Sequence, residues 1–547
     1  MIPNPQVDQI DRIFESFDPR ITPGCALGVM KDGKLIYAQG YGCANLDHKI
    51  PIAPDTIFPV ASMSKQFTAF ALALLIARGQ LSLDDDIRSI LPEVPDFGER
   101  ISLRHLVHHT SGLRGDLMLL LSAGWRLEDV IKNEDVFYLI QHQQELNFPP
   151  GEKFSYCGSG YLLLALAIER ITGLSLHQFC SCEIFESLNM TNTRFMEDPL
   201  ELIPGRADAY YPAGSDHYRK AVLTSSLTGG TGLFTTVKDL TKWDWNFISG
   251  RVGGREVLDM ILQRGKLSDG SSIPYAFGLI WDSHKGHEVL VHGGDGAGVH
   301  SYMIRFPGED FTVAVLGNCR SINARKMARS VADLYVEDRS NSTKSVLPVP
   351  DTIELSPKKI EDKTGRYFNP QSLAFIDLES SDGFLSLWGN RLLPVSETRF
   401  LFASSPEASV EFLSAGDAQA EQVLVDTGMG AVCYERSEPV LDARVNLEDY
   451  CGAYFSEELN VTWHVVLKGE ELAVQRFKQG ESILQPVVRD VFTDSFLDNL
   501  LHAPSRPFTL MFVRSEDNFV NGLLASDGSA SVSRMRFSKR VVKKRKT

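Results

Sequence analysis

The 547-residue chain has no excess of basic charge: 55 Lys and Arg stand against 70 Asp and Glu, a net charge of −15. With no basic surface to neutralise phosphates, a nucleic-acid partner is not expected. The one basic run, Lys539 to Lys546, reads as a solvated, disordered tail rather than a docking arm. No uncharged apolar run reaches the roughly 18 residues needed to cross a bilayer, so no membrane partner is expected either. Met1 to Arg20 is polar and acidic and lacks the apolar centre of a secretory leader. The eight cysteines (25, 43, 157, 180, 182, 319, 433 and 451) form no C-x-x-C pair and no zinc spacing. A cytoplasmic protein with reduced thiols is the resulting expectation. What remains, 43% apolar and 23% charged, is a globular composition spread over too many residues for one core, so two to four domains are predicted.

What the chain does have is a serine one helical turn ahead of a lysine, at the mouth of an apolar segment. Ser62 and Lys65, within Phe58-Pro59-Val60-Ala61-Ser62-Met63-Ser64-Lys65-Gln66-Phe67, stand at i and i+3 and share one helix face. Phe67 to Ala77 is almost wholly apolar and predicts a helix buried on all sides. Desolvation and the positive end of the helix dipole both work against an ammonium at its start, which suits the lysine to take a proton from the serine hydroxyl. This is the S-x-x-K spacing of acyl-serine chemistry. A chain this long holds roughly one or two such matches by accident. Ser356-Pro357-Lys358-Lys359 is a second one, in a polar, proline-bearing stretch with no apolar helix behind it. An ordinary helix start, with Ser62 as cap and Lys65 solvated, is the competing reading.

Residues 1–335 read as one block, with strand signals near both ends and helical periods between. Ala26 to Met30, the turn Lys31-Asp32-Gly33 and Leu35 to Ala38 form a hairpin signal. Val289 to Val291, the glycine-rich run 293–298 and Ser301 to Ile304 form another, followed by a strand over Phe311 to Leu316. The two ends together predict one antiparallel sheet. A linker over 336–353 follows. Ile360 to Phe368 then matches Leu447 to Phe455, 87 residues later, and both copies continue into short alternating segments. Two small antiparallel β-barrels are predicted, over 354–440 and 441–540, with a basic tail at 541–547. The fold class is multidomain α+β.

A nucleophilic serine needs a base, a second proton carrier and oxyanion donors. Tyr156 follows the turn Pro149-Pro150-Gly151 and precedes an apolar helix over Tyr161 to Ile171. It suits a proton carrier beside an ammonium, or packs as a half-buried tyrosine. His292-Gly293-Gly294 ends a strand and opens a glycine-rich turn through which a substrate backbone can pass closely. The N–H of Asp295 is a candidate oxyanion donor beside that of Ser62; a surface hairpin is the alternative.

In these motifs the first block resembles the penicillin-recognising serine hydrolases, in the branch of class C β-lactamases, D-stereospecific peptidases and related esterases. The likeness runs over about 300 residues. It includes Thr22-Pro23-Gly24, Asp55 to Phe58, Ile101 to Leu106, His109-Thr110-Ser111-Gly112-Leu113, Gly229 to Leu233 and Leu316-Gly317-Asn318, in family order. Within the branch the chain is most similar to the D-aminopeptidases, which also carry histidine-x-glycine in place of lysine-threonine-glycine and also append two barrels. That resemblance implies Ser62 as nucleophile, Lys65 as its proton partner, Tyr156 as second proton carrier and His292 on the edge strand. It further implies release of N-terminal D-residues from short peptides, amides or esters, and a homodimer. No cofactor or metal is needed for this chemistry. An acidic side chain of the last barrel would receive the substrate's amine, and Glu481, Asp490 and Asp494 are candidates. One position departs from the family: Gly158 stands where Tyr-x-Asn has asparagine. Loss of that amide costs about 1–3 kcal/mol of binding or rate unless something replaces it. A carboxylesterase or β-lactamase-like hydrolase is the rival enzyme reading. A non-catalytic scaffold of the same fold, favoured by Gly158 alone, is the rival of another class.

Overall fold

The structure, a computed structural model, describes residues 5–214, 217–339, 352–381, 383–403, 405–413, 421–427, 431–437, 446–495, 508–527 and 531–540. Most of the expected linker and residues 541–547 of the basic tail lie outside these residues; Lys539 and Arg540, expected in the tail, instead end the last strand of the second barrel. The expected fold class holds: an antiparallel sheet flanked by helices, then two closed eight-stranded antiparallel barrels.

The sheet is assembled from both ends of the first block. Its strands are β1 (Cys25–Lys31), β2 (Lys34–Tyr41), β3 (Ile280–His284), β4 (His287–Gly296), β5 (Val299–Phe306) and β6 (Phe311–Gly317). The order is β3-β4-β5-β6-β1-β2, with β1 paired along its whole length to β6, Cys25 opposite Gly317 and Lys31 opposite Phe311. β1 and β6 are buried on both faces, which is why they read as unbroken apolar runs rather than alternating ones. One core holds Val29, Val291, Ile304, Val313 and Val315 against Ile10 of the helix Pro5–Ile13, Phe14 just after it, and Ala328 and Val331 of the helix Ala324–Ala332. The family landmarks at the two ends meet here. Asn318 accepts the N–H of Gly24 at 2.8 Å and donates to the carbonyls of Cys43 and Asp208.

The glycine-rich run departs from expectation. Gly293 and Gly294 do not open a turn; β4 runs on to Gly296 and the turn is Ala297–Gly298. A Cβ at Gly294 would lie 2.0 Å from the Val60 carbonyl oxygen. Glycine is there because another backbone crosses the strand, not because the chain reverses.

The two barrels run from Gly365–Asn369 to Ala431–Ser437 and from Gly452–Ser456 to Met535–Arg540, each closing its first strand on its last. The repeat is physical as well as textual. Tyr367 donates its hydroxyl to the carbonyl of Lys363, and Tyr454 does the same to Tyr450. A cation from the last strand covers each ring, Arg436 over Tyr367 and Lys539 over Tyr454. The first barrel is filled by apolar side chains such as Leu378, Leu387, Phe400, Val410 and Val423. The second, besides apolar residues such as Trp463, Val474, Leu510 and Phe512, buries Arg476 against Asp494 at 2.8 Å.

Contacts divide the chain into two compact units. One consists of residues 1–113, 127–141 and 148–344, the other of 114–126, 142–147 and 345–547. The second unit thus takes two short stretches from within the 1–335 block. In it, Arg114 pairs with Glu458 at 2.6 Å in a buried contact, and Trp463 and Gln479 donate to the carbonyls of Ser122 and Leu121. Each of the eight cysteines is a free thiol. Among the described residues no single helix is long and apolar enough to cross a membrane.

Candidate active site

The chain enters the site through a strained residue. Ala61 has φ +45°, and a short 3-10 turn over Ala61–Ser64 leads into helix α1 (Lys65–Ala77). Every residue of α1 from Lys65 to Leu75 is buried, as the apolar run predicts. Lys65 is 2% exposed, and its Nζ lies 3.3 Å from Ser62 Oγ. The same nitrogen donates to the carbonyl of Gly230 at 2.8 Å. An ammonium and an amine can both make that bond, so the carbonyl anchors the nitrogen in either state. The Tyr156 ring lies over Nζ with its centroid 4.7 Å away. Tyr156 is 40% exposed, so one side of its ring faces solvent.

Helix α2 (Gly158–Thr172) begins at the departing position, with Cys157 as its N-cap. Gly158 presents only backbone here, close to Gly230 and Lys65: a Cβ on Gly230 would lie 3.5 Å from both Gly158 O and Lys65 Nζ. The second contact to the lysine thus comes from a main-chain carbonyl across the site. Gly229 is fixed next to it, accepting the Thr68 hydroxyl at 2.8 Å.

β4 brings His292 to the opposite side. The ring is buried, with Nδ1 2.6 Å from the Gly293 carbonyl and Nε2 3.1 Å from the Tyr275 hydroxyl. A carbonyl only accepts, so Nδ1 carries the proton and Nε2 accepts from Tyr275. Burial holds this imidazole down at about 4, so it is neutral at pH 7. The β3–β4 turn, Lys285–Gly286, has φ values of 49° and 75°, the two-residue type whose flanking residues exchange hydrogen bonds. Alternation from there turns the odd-numbered residues of β4 toward β3. β3 ends opposite Val291, so among the described residues no strand faces the N–H groups of Gly293 and Asp295. Ser301 Oγ donates to the Val60 carbonyl at 2.9 Å and locks the turn bearing Ser62 against this end of the sheet. The Ser62 N–H, in the first turn, has no carbonyl in the helix ladder. The Asp295 side chain pairs with Arg320 at 3.1 Å.

Ser62, Lys65 and Tyr156 therefore come together, with His292 near them: the Tyr156 and His292 ring centroids are 6.3 Å apart. The three acidic candidates of the last barrel are all engaged within it. Asp494 is held by Arg476, Asp490 by Arg514 and the Tyr450 hydroxyl, and Glu481 by Lys468 and Gln475. Sequence reasoning missed Tyr275, for which no motif gives a signal. It also missed the part played by the Gly230 carbonyl, although the run Gly229 to Gly232 marked the segment. His105, His108 and His109 do not converge: His105 caps a helix through Ser102, His108 meets the Arg104 carbonyl, and His109 lies among aromatic rings.

Residues 10–336, more than half of the chain, match the Beta-lactamase family model. The chain belongs to the beta-lactamase family. Members of this family are serine hydrolases. Among similar proteins is a D-aminopeptidase of Gluconobacter oxydans, 28% identical over 333 residues, covering 59% of this chain and 62% of that protein. The chain thus matches less than two thirds of that relative's length. Penicillin-binding protein 4* of Bacillus subtilis is 27% identical over 445 residues, covering 77% of this chain and 96% of that protein. The solved octameric penicillin-binding protein homologue from Pyrococcus abyssi shares the fold, with a TM-score of 0.54 at 21% identity over 88% of this chain and all of that one.

Proposed function

We propose that this beta-lactamase-family chain is a serine hydrolase that acylates Ser62 and releases N-terminal residues from small D-configured peptides, amides or esters. The observation that carries the choice of substrate is the state of His292. The resemblance sets it where β-lactamases carry a lysine, yet its ring is neutral and both nitrogens are spent on Gly293 and Tyr275. Such a ring offers a substrate carboxylate neither charge nor a free donor. A substrate bearing an amine and no carboxylate at that end fits better than a penicillin. The D-aminopeptidase relative supports the same choice.

In the reaction, Ser62 Oγ attacks the substrate carbonyl while its proton passes to Lys65 Nζ. The oxyanion develops against the N–H groups of Ser62 and Asp295. Lys65, through the Tyr156 hydroxyl, returns the proton to the leaving nitrogen or oxygen as the carbonyl–leaving-group bond breaks. Water then adds to the acyl-Ser62 ester, its proton taken by the same pair, and Ser62 leaves as the hydroxyl. A carboxylesterase reading is favoured by two observations. Gly158 supplies no amide to hold a substrate's acyl amide, and Glu481, Asp490 and Asp494 are already paired. Assays with D- and L-alanine p-nitroanilide, p-nitrophenyl butyrate and nitrocefin separate the readings. Turnover of the D-anilide well above the L-anilide and nitrocefin is expected; turnover of the butyrate ester alone would refute the aminopeptidase assignment.

A further inference from the structure

We propose that His109 is the positioning residue of this site: it holds Tyr156 against Lys65 by gripping the chain on both sides of the tyrosine. The proposal rests on the reading of Ser62, Lys65 and Tyr156 given above. The His109 carbonyl accepts the N–H of Ser155 at 2.9 Å, and its Nδ1 accepts the N–H of Cys157 at 3.1 Å. Between these two bonds the imidazole lies against the Tyr156 ring, with centroids 4.3 Å apart. Three consecutive residues are thus fixed by one, with the proton carrier in the middle. The neighbouring backbone is laid down the same way, since Gly151 donates its N–H to the Thr110 carbonyl at 2.7 Å.

Tyr156 needs such a grip. With 40% of its surface exposed, packing does not surround it, and its place over the Lys65 nitrogen has to be set by the chain that carries it. His109 has φ +59°, a region that side-chain-bearing residues seldom adopt, and strain of this kind collects where geometry matters for function. Its chemistry also fits. A ring accepting at Nδ1 has its proton on Nε2, so it must be neutral, and burial holds it far below its ordinary value. Nε2 is buried without a hydrogen-bond partner among the described residues, with the Tyr161 and Tyr275 rings close by. A ring so placed has no route to act on substrate itself, and it acts through Tyr156.

The test is a double-mutant cycle with p-nitrophenyl butyrate, reading kcat and KM, with thermal melting alongside. His109→Phe keeps a ring and removes the acceptor. His109→Asn restores an acceptor and tolerates the left-handed backbone. For His109→Phe, kcat should fall about 10²-fold with KM within about twofold, the scale expected for a misplaced catalytic group. His109→Asn should recover about tenfold of that loss, because it can again accept from Cys157 N–H. In a Tyr156→Phe background either change should cost less than about threefold, since nothing is left to position. Equal losses in both backgrounds, or no loss in the wild-type background, would overturn the proposal. Should His109→Phe not fold, His109→Asn carries the same cycle with a smaller loss. If Tyr156→Phe alone costs nothing, the proton-carrier reading and this proposal fall together. If it costs activity while the cycle is additive, only the grip fails.

Discussion

The chain carries the same tetrapeptide pattern twice, and only one copy is built into a site. At Ser356-Pro357-Lys358-Lys359 the serine side chain is a helix cap, accepting the Lys359 N–H, and Lys359 is half exposed and paired with Glu397 at 2.5 Å. At Ser62-Met63-Ser64-Lys65 the lysine is buried, has a carbonyl at 2.8 Å and the Tyr156 ring above it, and reaches 3.3 Å to the serine hydroxyl. Spacing brings two side chains to one face in both places. The helix behind them and the backbone around them decide whether anything follows. An ammonium in water with a carboxylate partner has no reason to trade protons with a hydroxyl.

The largest expected effect breaks this comparison outright. Ser62→Ala should lower turnover by at least about 10³-fold, as loss of a nucleophile does, while Ser356→Ala leaves kcat unchanged. Lys65→Met should cost about 10²–10⁴-fold in kcat, the range of a lost proton carrier, whereas Lys359→Met costs nothing measurable in the same assay.

Gly294→Ala comes next. A methyl group 2.0 Å from the Val60 carbonyl forces β4 away from the turn of Ser62 and displaces the Asp295 N–H. A fall in kcat of about 10²-fold is expected, the scale of one lost oxyanion donor. Gly308→Ala, which meets nothing within 4 Å, serves as the silent control.

Burial also gives the site a pH dependence that the exposed copy lacks. His292 and His108 are held at about 4, below their ordinary 6.5, chiefly by desolvation. Below about pH 6.5 the unfolded chain takes up protons that the folded chain refuses, so stability is full above that pH and drains away toward pH 4. Urea unfolding at pH 7 and 4.5 should show His292→Gln losing less than the wild type on acidification, by about 2–3 kcal/mol. The smallest effect belongs to the exposed motif: Ser356→Ala should cost about 1 kcal/mol of local stability through its lost cap, read by amide exchange of Lys359.

The sequence disclosed what depends on local pattern. The buried helix behind Lys65 shows in eleven residues of which only Thr68 is polar, the sheet in strand signals from both ends, and the barrels in a repeat whose tyrosines keep the same hydrogen bond. What it withheld depends on contacts between distant segments. Gly293 and Gly294 look like a turn because the Val60 carbonyl that demands a glycine at 294 lies far back in the chain. The apolar stretch Leu119-Leu120-Leu121 reads as a helix whichever unit it packs in, so its place with Trp463 and Gln479 left no trace. Asp494 reads as an available acid, because nothing local announces that Arg476 covers it. Tyr275 and the Gly230 carbonyl entered the site only through tertiary structure.

The central claim is that burial arms one serine out of two, and covalent labelling tests it most directly. A fluorophosphonate probe, read by intact mass and peptide mapping, should add one adduct, on Ser62. That adduct should vanish in Ser62→Ala and persist in Ser356→Ala. An adduct that survives Ser62→Ala, or an intact protein that takes no label, would contradict the account.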